Sequence, residues 1–395
     1  MLGAIYNALS GMNAFTKGLQ TISNNVSNLN SNGYKGQVVS FSDLTGSEHG
    51  NALTGNGIGL VGNGVRINDP RSDFGQGDLR PTNNDLDLGI QGAGFLTVLN
   101  KDGKMVFTRT GSFAVDKDGF ISDQVTGNRL TIFDDTGHPE AVNLSNKHSN
   151  APAATTKIPF INNLSSSGTT ATVSNITVFD DHGGQQNWTV TLTKSSSNST
   201  ANSWNVAVTD ANNNTLANGV LSFIGSGPDP STSTISVDTS PAGAGPLHVV
   251  LDFSNVTSFS AGTASTISAQ PGDGAASGTL TTVTVGDDGE LTLTYSNQKS
   301  EKLGALVVAE LQDPQALERL DSGVYATSPG QSASLVTSGS VGVGTVKGKS
   351  IEASNVDLSG QFGDLILIQR GFQACSQVLS VTNDMIQQLF SIRGQ

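Results

Sequence analysis

The residue types that most often carry out chemistry are dispersed in this chain. The five histidines lie in loop-like sequence without any i, i+4 pairing, at positions His49, His138, His148, His182 and His248. A zinc site or a catalytic triad needs such groups to converge, and this spacing would require a coincidence of tertiary structure. We therefore expect neither a metal centre nor a histidine-based active site.

Three short motifs resemble ligand-binding loops. The stretch GIGLVG at 57–62 matches the G-x-G-x-x-G fingerprint, but it lacks the preceding strand and the following helix that dinucleotide binding requires, and we interpret it as a flexible loop. DKDG at 116–119 lacks the spacing and distal glutamate of a calcium loop. This motif and GDDGE at 286–290 are predicted to be hairpin turns.

The remaining reactive groups are also explained without catalysis. The carboxylate pairs Asp134–Asp135 and Asp180–Asp181 lie in turn-like sequence, where solvated loop residues are the usual case. The single cysteine, Cys375, excludes an internal disulfide framework and a cysteine-based zinc cluster. It falls on an apolar stripe, where a small core residue is expected. We predict no enzyme activity, no catalytic residues, no cofactor and no bound metal.

Composition narrows the function classes further. The 395 residues carry a formal charge of −13, and 13% of them are charged, about half of the usual ~25%. No basic cluster supports nucleic-acid binding, and no uninterrupted apolar run of about 18 residues supports membrane insertion. The first residues lack the basic start and apolar core of a secretory signal. These features suit an extracellular, β-rich structural protein.

Both ends of the chain show helical periodicity. Apolar residues recur in steps of three and four near the N-terminus at Ile5, Leu9, Met12, Phe15, Leu19, Ile22, Val26 and Leu29, and near the C-terminus at Leu365, Ile368, Phe372, Cys375, Leu379, Thr382, Ile386 and Leu389. Asp357 or Ser354 is a suitable cap for the second helix. The simplest arrangement pairs the helices as a coiled coil; two separate surface helices are the alternative.

The first helix is intrinsically weak. Interior Gly11 and Gly18 each cost about 1 kcal/mol relative to alanine, and the asparagines near its end add to this cost. One partner helix is too little to offset the total of roughly 4–5 kcal/mol, so we expect contacts with other copies of the chain. Asn24, Asn25 and Asn28 can donate and accept hydrogen bonds between packed helices without burying a charge.

The region between the helices predicts a nested α+β, multidomain chain. Terminal helices at 1–32 and 356–395 enclose a linker or extended region at 33–72 and a discontinuous first β domain at 73–144 and 301–355. Closely spaced turns indicate antiparallel pairing in this domain. Short alternating runs in the Ser-, Thr-, Asn- and Gly-rich segment 145–300 predict a second, outer β domain, a sandwich or barrel anchored by Trp188 and Trp204.

Four co-linear motifs carry a family resemblance: SNNVSNLNSNGYKG (23–36), LDLGIQGAGFLTV (86–98), FTRTGSFAVDKDGFI (107–121) and IEASNVDLSGQFGDLILIQRGFQACSQVL (351–379). The chain resembles the bacterial flagellar rod and hook proteins over both termini and the first β domain. Cys375 departs from the pattern, since a polar or small residue is expected there. We assign the helix stripe residues to assembly: Ile5, Leu9, Met12, Leu19, Ile22, Val26, Leu29, Leu365, Ile368, Phe372, Leu379, Ile386 and Leu389. The family-motif residues are Asn24, Asn25, Asn28, Gly33, Tyr34, Lys35, Ser354, Asn355, Val356 and Asp357.

The resemblance implies a self-assembling structural subunit. The large insert at 145–300 resembles the hook members, whose curved hollow tube joins rod to filament and transmits torque as a universal joint. Implied partners are other copies of the chain, the distal rod, hook cap and hook–filament junction proteins, and the flagellar type III export apparatus, which would export it without a cleaved signal to the extracellular hook. A distal rod subunit is the runner-up. A secreted adhesin or binding module is the alternative from another class, and it has no evident need for the terminal stripes.

Overall fold

The computed structural model describes residues 2–47, 60–134, 136–195, 202–240 and 245–393. Part of GIGLVG (57–59), His49 and Asp135 lie outside the described residues. The chain forms two compact units. The first comprises residues 1–145, 283–292 and 302–395, and the second comprises residues 146–282 and 293–301.

The two predicted terminal helices are confirmed as α1 (Leu2–Ser27) and α2 (Leu358–Arg393). Asp357 caps α2, because its carboxylate accepts hydrogen bonds from the backbone N–H groups of Ser359 (3.0 Å) and Gly360 (3.1 Å). Leu29, which we expected on the first helix, lies beyond its end. The Asn28 amide donates to the Asn24 carbonyl at 2.9 Å, and such side-chain competition for backbone groups favours termination.

The strands alternate with turns along the rest of the chain. Before the second unit they are β1 (Gln37–Val38), β2 (Phe41–Ser47), β3 (Leu60–Ile67), β4 (Arg71–Ser72), β5 (Leu79–Pro81), β6 (Asp87–Gln91), β7 (Phe95–Leu99), β8 (Met105–Thr108), β9 (Thr110–Val115), β10 (Ile121–Asp123), β11 (Arg129–Phe133) and β12 (Pro139–Ala141). The next are β13 (Ser149–Asn150), β14 (Lys157–Asn163), β15 (Thr170–Phe179), β16 (Gln185–Lys194), β17 (Ser203–Thr209), β18 (Thr215–Ile224), β19 (Gly227–Pro228), β20 (Thr234–Thr239), β21 (Leu247–Thr257) and β22 (Ser268–Ala269). The last are β23 (Gly278–Val285), β24 (Glu290–Tyr295), β25 (Ser300–Ala305), β26 (Val307–Glu310), β27 (Leu317–Arg319), β28 (Val324–Thr327), β29 (Ser334–Thr337), β30 (Thr345–Gly348) and β31 (Ser350–Glu352).

A long curled sheet dominates the first unit, with the order β27-β28-β8-β7-β11-β10-β9-β6-β30. The predicted DKDG hairpin is confirmed, since β9 and β10 pair antiparallel across it and Gly119 N–H donates to the Asp116 carbonyl at 3.1 Å. Apolar side chains of this sheet form a buried core that includes Leu88, Ile90 and Leu130. Strands from both sides of the insert enter this sheet, because β28 pairs with β8 and β30 with β6.

The segment 33–72 is more structured than the linker or extended region that we expected. Its strands β2 and β3 form an antiparallel hairpin, and β1 pairs with β4. The hairpin packs on α1: Val65 N–H donates to the Ser10 hydroxyl at 3.2 Å, and the rings of Phe15 and Phe41 lie 5.7 Å apart. These contacts supply the apolar and polar partners that a free linker lacks.

The second unit contains two sheets around one apolar core, with the orders β15-β16-β17-β18-β19 and β20-β21-β14-β22. Trp188 and Trp204 are fully buried in this core, and each indole N–H donates to a nearby side-chain oxygen at 3.2 Å. Phe160 and Phe253 stack there with ring centroids 4.4 Å apart. A sandwich of this kind follows from alternating strands whose apolar faces need cover. A further sheet has the order β13-β23-β24-β25.

Neither terminal helix, as far as it is described, combines the length and apolar character needed to cross a membrane.

Candidate functional site

The terminal helices contact each other through small residues. A Cβ atom placed on Gly11 would lie 2.8 Å from the Cys375 sulfur, and one on Gly18 would lie 2.8 Å from Cδ1 of Ile368. Gly371 of α2 is similarly covered by the Phe15 ring of α1, 2.5 Å from such a Cβ. Glycines thus allow the two backbones to approach, at the cost of intrinsic helix stability.

The predicted apolar stripes are divided between contact and solvent. Ile22 and Ile368 are buried. Leu9 (56%), Leu19 (39%), Phe372 (39%) and Leu389 (54%) remain exposed. The half-buried members are Ile5, Met12, Val26, Leu29, Leu365, Leu379 and Ile386. The stripe of large side chains on α1 is therefore only partly covered, and Gly11 and Gly18 beside it provide close contacts with α2.

A second apolar stripe on α2 was missed in the sequence. It consists of Leu367, Ala374, Val378, Val381 and Met385, spaced by seven, four, three and four residues. Its large side chains are exposed, at 69% for Leu367 and 46% to 51% for the other three. The spacing repeats as in a coiled-coil seam. The pattern was therefore visible in the sequence, but the neighbouring stripe has the same periodicity and was chosen instead.

Asn25 is the asparagine that joins the helices. Its buried amide donates to the Gln37 carbonyl (2.8 Å) and to the Gln361 side chain of α2 (2.9 Å). Its oxygen accepts from the Tyr34 hydroxyl (3.2 Å) and the Gln37 N–H (2.9 Å). Asn24 and Asn28 instead bond to each other at 3.1 Å, within the N-terminal segment. Of the three asparagines, the structure thus gives Asn25 the interhelical bond.

A buried ionic cluster ties both chain ends to the β sheet. Lys35 and Glu352 are fully buried, with the ammonium nitrogen 2.7 Å from Oε1 of the carboxylate. Arg109, 3% exposed, donates to the other carboxylate oxygen at 3.1 Å. The ammonium also donates to the Gly75 carbonyl (2.7 Å), and the Gly77 N–H donates to Glu352 Oε1 (2.8 Å). Every oxygen and cation of the cluster therefore has a partner.

The guanidinium of Arg109 is satisfied on its other side by the sheet. Its two terminal nitrogens donate to the carbonyls of Gly94 (2.6 Å) and Gly92 (2.8 Å). Burial lowers the pKa of Lys35 below its ordinary value, and the hydrogen bond from Lys35 to Glu352 opposes this shift. The cluster holds two cations and one anion, and the carbonyls of Gly75, Gly92 and Gly94 accept hydrogen bonds from the two cations.

The other motif residues surround this cluster. The Asn355 side chain accepts from Gly36 N–H (2.8 Å) and donates to the carbonyls of Asp73 (2.8 Å) and Gly75 (3.0 Å). Gly33 adopts a φ of 65°, and its N–H donates to the Glu352 carbonyl at 2.7 Å. Further motif positions are the buried Tyr34, whose ring lies 4.5 Å from the Arg319 guanidinium, and the partly buried Ser354 and Val356.

Sequence reasoning missed Arg109 and Glu352. Both lie inside motifs that resemble the family, FTRTG and IEASN, but neither was singled out. The available signal was a charged residue within strand-like sequence of a chain that is otherwise poor in charge. Such a residue needs a partner if it is buried.

One group of potential metal ligands occurs in the described part of the chain: Asp180, Asp181 and His182. Asp180 accepts the N–H groups of His182 (3.0 Å) and Gly184 (2.7 Å), which closes the turn between β15 and β16. Hydrogen bonds from Gly245 N–H and His182 lower the pKa of the Asp181 carboxyl. The turn is as predicted, and Asp181 and His182 are exposed. Asp180 is not solvated as expected: it is buried, at 7% exposure, because backbone N–H groups bind its carboxylate.

Comparison with protein families identifies four matching regions. Residues 5–35 match the "Flagella basal body rod protein" family, and residues 89–159 match the "Flagellar hook protein FlgE/F/G D1 domain". Residues 143–275 match the "Flagellar basal body protein FlaE D2 domain", and residues 347–392 match the "Flagellar basal body rod FlgEFG protein C-terminal" family.

Full-length relatives show the same pattern. The chain is 27% identical to the flagellar hook protein FlgE of Escherichia coli K12, covering 99% of this chain and all of that protein. It is also 27% identical to FlgE of Treponema pallidum over the full length of both. Among solved structures, Helicobacter pylori flagellar hook protein FlgE2 matches with a TM-score of 0.52 at 12% identity. The match covers 69% of this chain and 100% of that one.

Proposed function

Because this chain belongs to the family of flagellar hook and basal-body rod proteins, we propose that it is the structural subunit of the bacterial flagellar hook. In this role it self-assembles into a curved, flexible, hollow tube that joins the basal-body rod to the filament. The tube transmits motor torque while it bends, as a universal joint. No catalytic step is part of this function.

The second apolar stripe of α2 is the observation that carries the proposal. Leu367, Val378, Val381 and Met385 are each about half exposed or more in the single chain. Contiguous exposed apolar surface on a protein mostly marks an interaction site, because its exposure to water is unfavourable. In a polymer, helices of neighbouring copies cover this stripe and the exposed residues of α1.

We infer that the paired helices form a coiled-coil wall of the tube and that the second unit contributes the outer surface. The 13% charged content favours short polar contacts over ion-pair networks between copies. A single hydrogen bond contributes about 0.5–1.5 kcal/mol net, so neighbouring subunits can exchange such contacts as the tube bends. Long salt-bridge networks would favour one fixed register.

The proposed partners follow from the position of the hook. Apart from other copies of this chain, they are the distal rod, hook cap and hook–filament junction proteins. Subunits reach the growing tip through the flagellar type III export apparatus. The working location is the extracellular hook attached to the basal body.

The stripe can be tested in the full chain with the double variant Leu367→Gln/Val381→Gln. Since both side chains are exposed in the single subunit, its fold should be unchanged by circular dichroism and tryptophan fluorescence. The critical concentration for polymerisation, measured by sedimentation, should rise at least tenfold. The control is Val125→Gln, which changes a residue of the body that is 76% exposed.

Electron micrographs of the wild-type polymer separate the alternatives. Curved tubes support a hook subunit, whereas short straight rods would favour a distal rod subunit. Unchanged polymerisation of the double variant would contradict the role of the stripe. Ligand binding by the chain without polymer formation would favour an adhesin.

A further inference from the structure

Glu352 joins its own segment before α2 to three other parts of the first unit. Its carboxylate binds Lys35 of the N-terminal segment, the Gly77 N–H and Arg109 of the sheet. Its own backbone N–H donates to the Thr110 hydroxyl at 3.1 Å, and its carbonyl accepts the Gly33 N–H. The residue lies just before α2, while Gly33 and Lys35 follow α1.

The surrounding backbone leaves little freedom for another arrangement. A Cβ atom on Gly77 would lie 2.2 Å from the Ala353 carbonyl oxygen, so the two chain segments pass in direct contact. Asn355 adds two hydrogen bonds to the carbonyls of residues 73 and 75. The segment after α1 and the segment before α2 are thereby bound to the same place on the sheets of the first unit, which we call the β body.

Burying charged groups at this connection is unfavourable, because each ion loses its hydration. Taking three ions out of water carries a large desolvation cost, and their mutual attraction only partly offsets it, so a buried ion cluster is weak evidence for stability. What it does supply is directional specificity, since a carboxylate accepts bonds from a limited set of directions and an unpaired charge is excluded from the interior. An apolar cluster would tolerate several packings.

We propose that Glu352 is the positioning residue of the terminal helices, acting through Lys35 and Arg109 to set the direction in which the helix pair leaves the β body. This inference rests on the proposed function, because the direction matters where many copies must present their helices identically. It also divides each terminal segment into a base, residues 33–36 and 352–356, that is held in the single subunit, and a distal helix that is completed by neighbours.

Three variants of the full chain test the proposal. Glu352→Gln keeps the side-chain shape but leaves two buried cations without their anion. Lys35→Met/Glu352→Leu removes one cation and the anion, so the net charge of the cluster stays at +1. Asp85→Asn is the matched control, since it breaks the pair between Asp85 and Lys349 of the same unit, whose side chains are 33% and 61% exposed.

Two readouts are used. Hydrogen exchange of the soluble monomer reports on the base, and electron microscopy reports on tube shape. In Glu352→Gln and in Lys35→Met/Glu352→Leu, the amides of 33–36 and 352–356 should exchange at least tenfold faster. Exchange in the second unit should be unchanged. If either variant polymerises, its tubes should lack regular curvature, an effect that a loss of stability alone would not produce. Asp85→Asn should resemble the wild type in both measurements.

The apolar double variant decides the outcome if Glu352→Gln fails to fold. Wild-type exchange rates and regular tubes in Lys35→Met/Glu352→Leu would overturn the proposal, because burial alone would then position the helices. Wild-type behaviour of Glu352→Gln would overturn it as well. If the wild-type chain forms no polymer, the proposed function fails. The exchange measurement on the monomer still tests whether Glu352 holds the segments 33–36 and 352–356.

Discussion

At the scale of the residue, the polar side chains of the terminal motif have unequal roles. Asn25 is 2% exposed and makes bonds to three other residues, whereas Asn24 is exposed and Asn28 half-buried, and these two bond locally. Position 25 therefore joins α1, the following segment and α2. These bonds compensate the burial of its amide.

We predict that Asn25→Ala destabilises the C-terminal end of α1 by about 1–3 kcal/mol, since it leaves the Tyr34 hydroxyl and the Gln37 N–H without their acceptor. Asn24→Ala, on the exposed side, should instead raise helicity slightly because alanine is the better helix former. Hydrogen exchange of residues 20–37 measures both. Equal effects of the two substitutions would contradict the assignment.

Asp252 provides a prediction for pH. The Lys157 ammonium, 2.7 Å from Oδ2, and hydrogen bonds from the side chain and the backbone N–H of Ser254 lower the pKa of this carboxyl to about 2. The unfolded state then binds the proton first, so the stability that this interaction contributes is present above about pH 4 and is lost as the pH falls through about 2. The shift corresponds to at most about 2.5 kcal/mol, and solvent screening reduces this contribution because Lys157 is 56% exposed.

Asp252→Asn should lower the stability of the second unit at pH 7 and flatten its dependence on pH between 4 and 2. Tryptophan fluorescence in urea reports on this unit selectively, because both tryptophans of the chain lie in its core. Asp238→Asn, on the neighbouring strand and 76% exposed, should leave the profile nearly unchanged. An unaltered profile in Asp252→Asn would show that the ion pair is not the cause.

At the scale of the element, glycines allow the backbones of α1 and α2 to approach each other, although they lower the helix propensity of each segment. Gly371 lies under the Phe15 ring, whereas Gly363 of the same helix has no neighbour within 4 Å of an added Cβ. The two positions share the same intrinsic gain of up to about 1 kcal/mol on substitution by alanine. They differ in what the added methyl group meets.

Gly371→Ala should therefore weaken the contact between α1 and α2 and reduce the helical signal in circular dichroism, despite its better propensity. Gly363→Ala should increase the helical signal and the melting temperature of the helices. If both substitutions stabilised the helices equally, the close approach of the backbones at Gly371 would be refuted.

Hydrophobic periodicity predicted the elements of the chain better than it predicted their contacts. Steps of three and four located both helices, and the DKDG turn located the hairpin between β9 and β10, because both signals are contained in a few consecutive residues. The same periodicity did not identify which stripe of α1 meets α2. The spacing of large side chains such as Leu9 also predicts a contact stripe. In the structure Leu9 is exposed, and α2 approaches α1 closely at Gly11 and Gly18 instead.

At the scale of the whole molecule, the chain leaves the first unit after residue 145 and returns to it after the insert. The sheet is completed by strands from both sides, as in the pairing of β30 with β6. The body of the first unit thus has apolar cores that do not depend on the distal parts of α1 and α2. The helices contribute exposed apolar surface instead.

Deleting residues 1–30 or 358–395 should accordingly abolish polymer while leaving a soluble β body. Retained tryptophan fluorescence and strand signal in circular dichroism would show the body, and sedimentation would show the absence of polymer. The full-length chain under the same conditions is the reference. Regular tubes formed by either truncated chain would contradict the assembly role of the terminal helices.

Local information in the sequence determined the terminal helices, the hairpins and the family motifs, since spacing and turn chemistry act over a few residues. Tertiary structure alone decided that Lys35 and Arg109 meet Glu352, from 317 and 243 residues away along the chain. It also decided which side of α2 is covered and which remains open. Pairing over such separations depends on burial and on the path of the backbone, and neither leaves a repeat that the sequence would display.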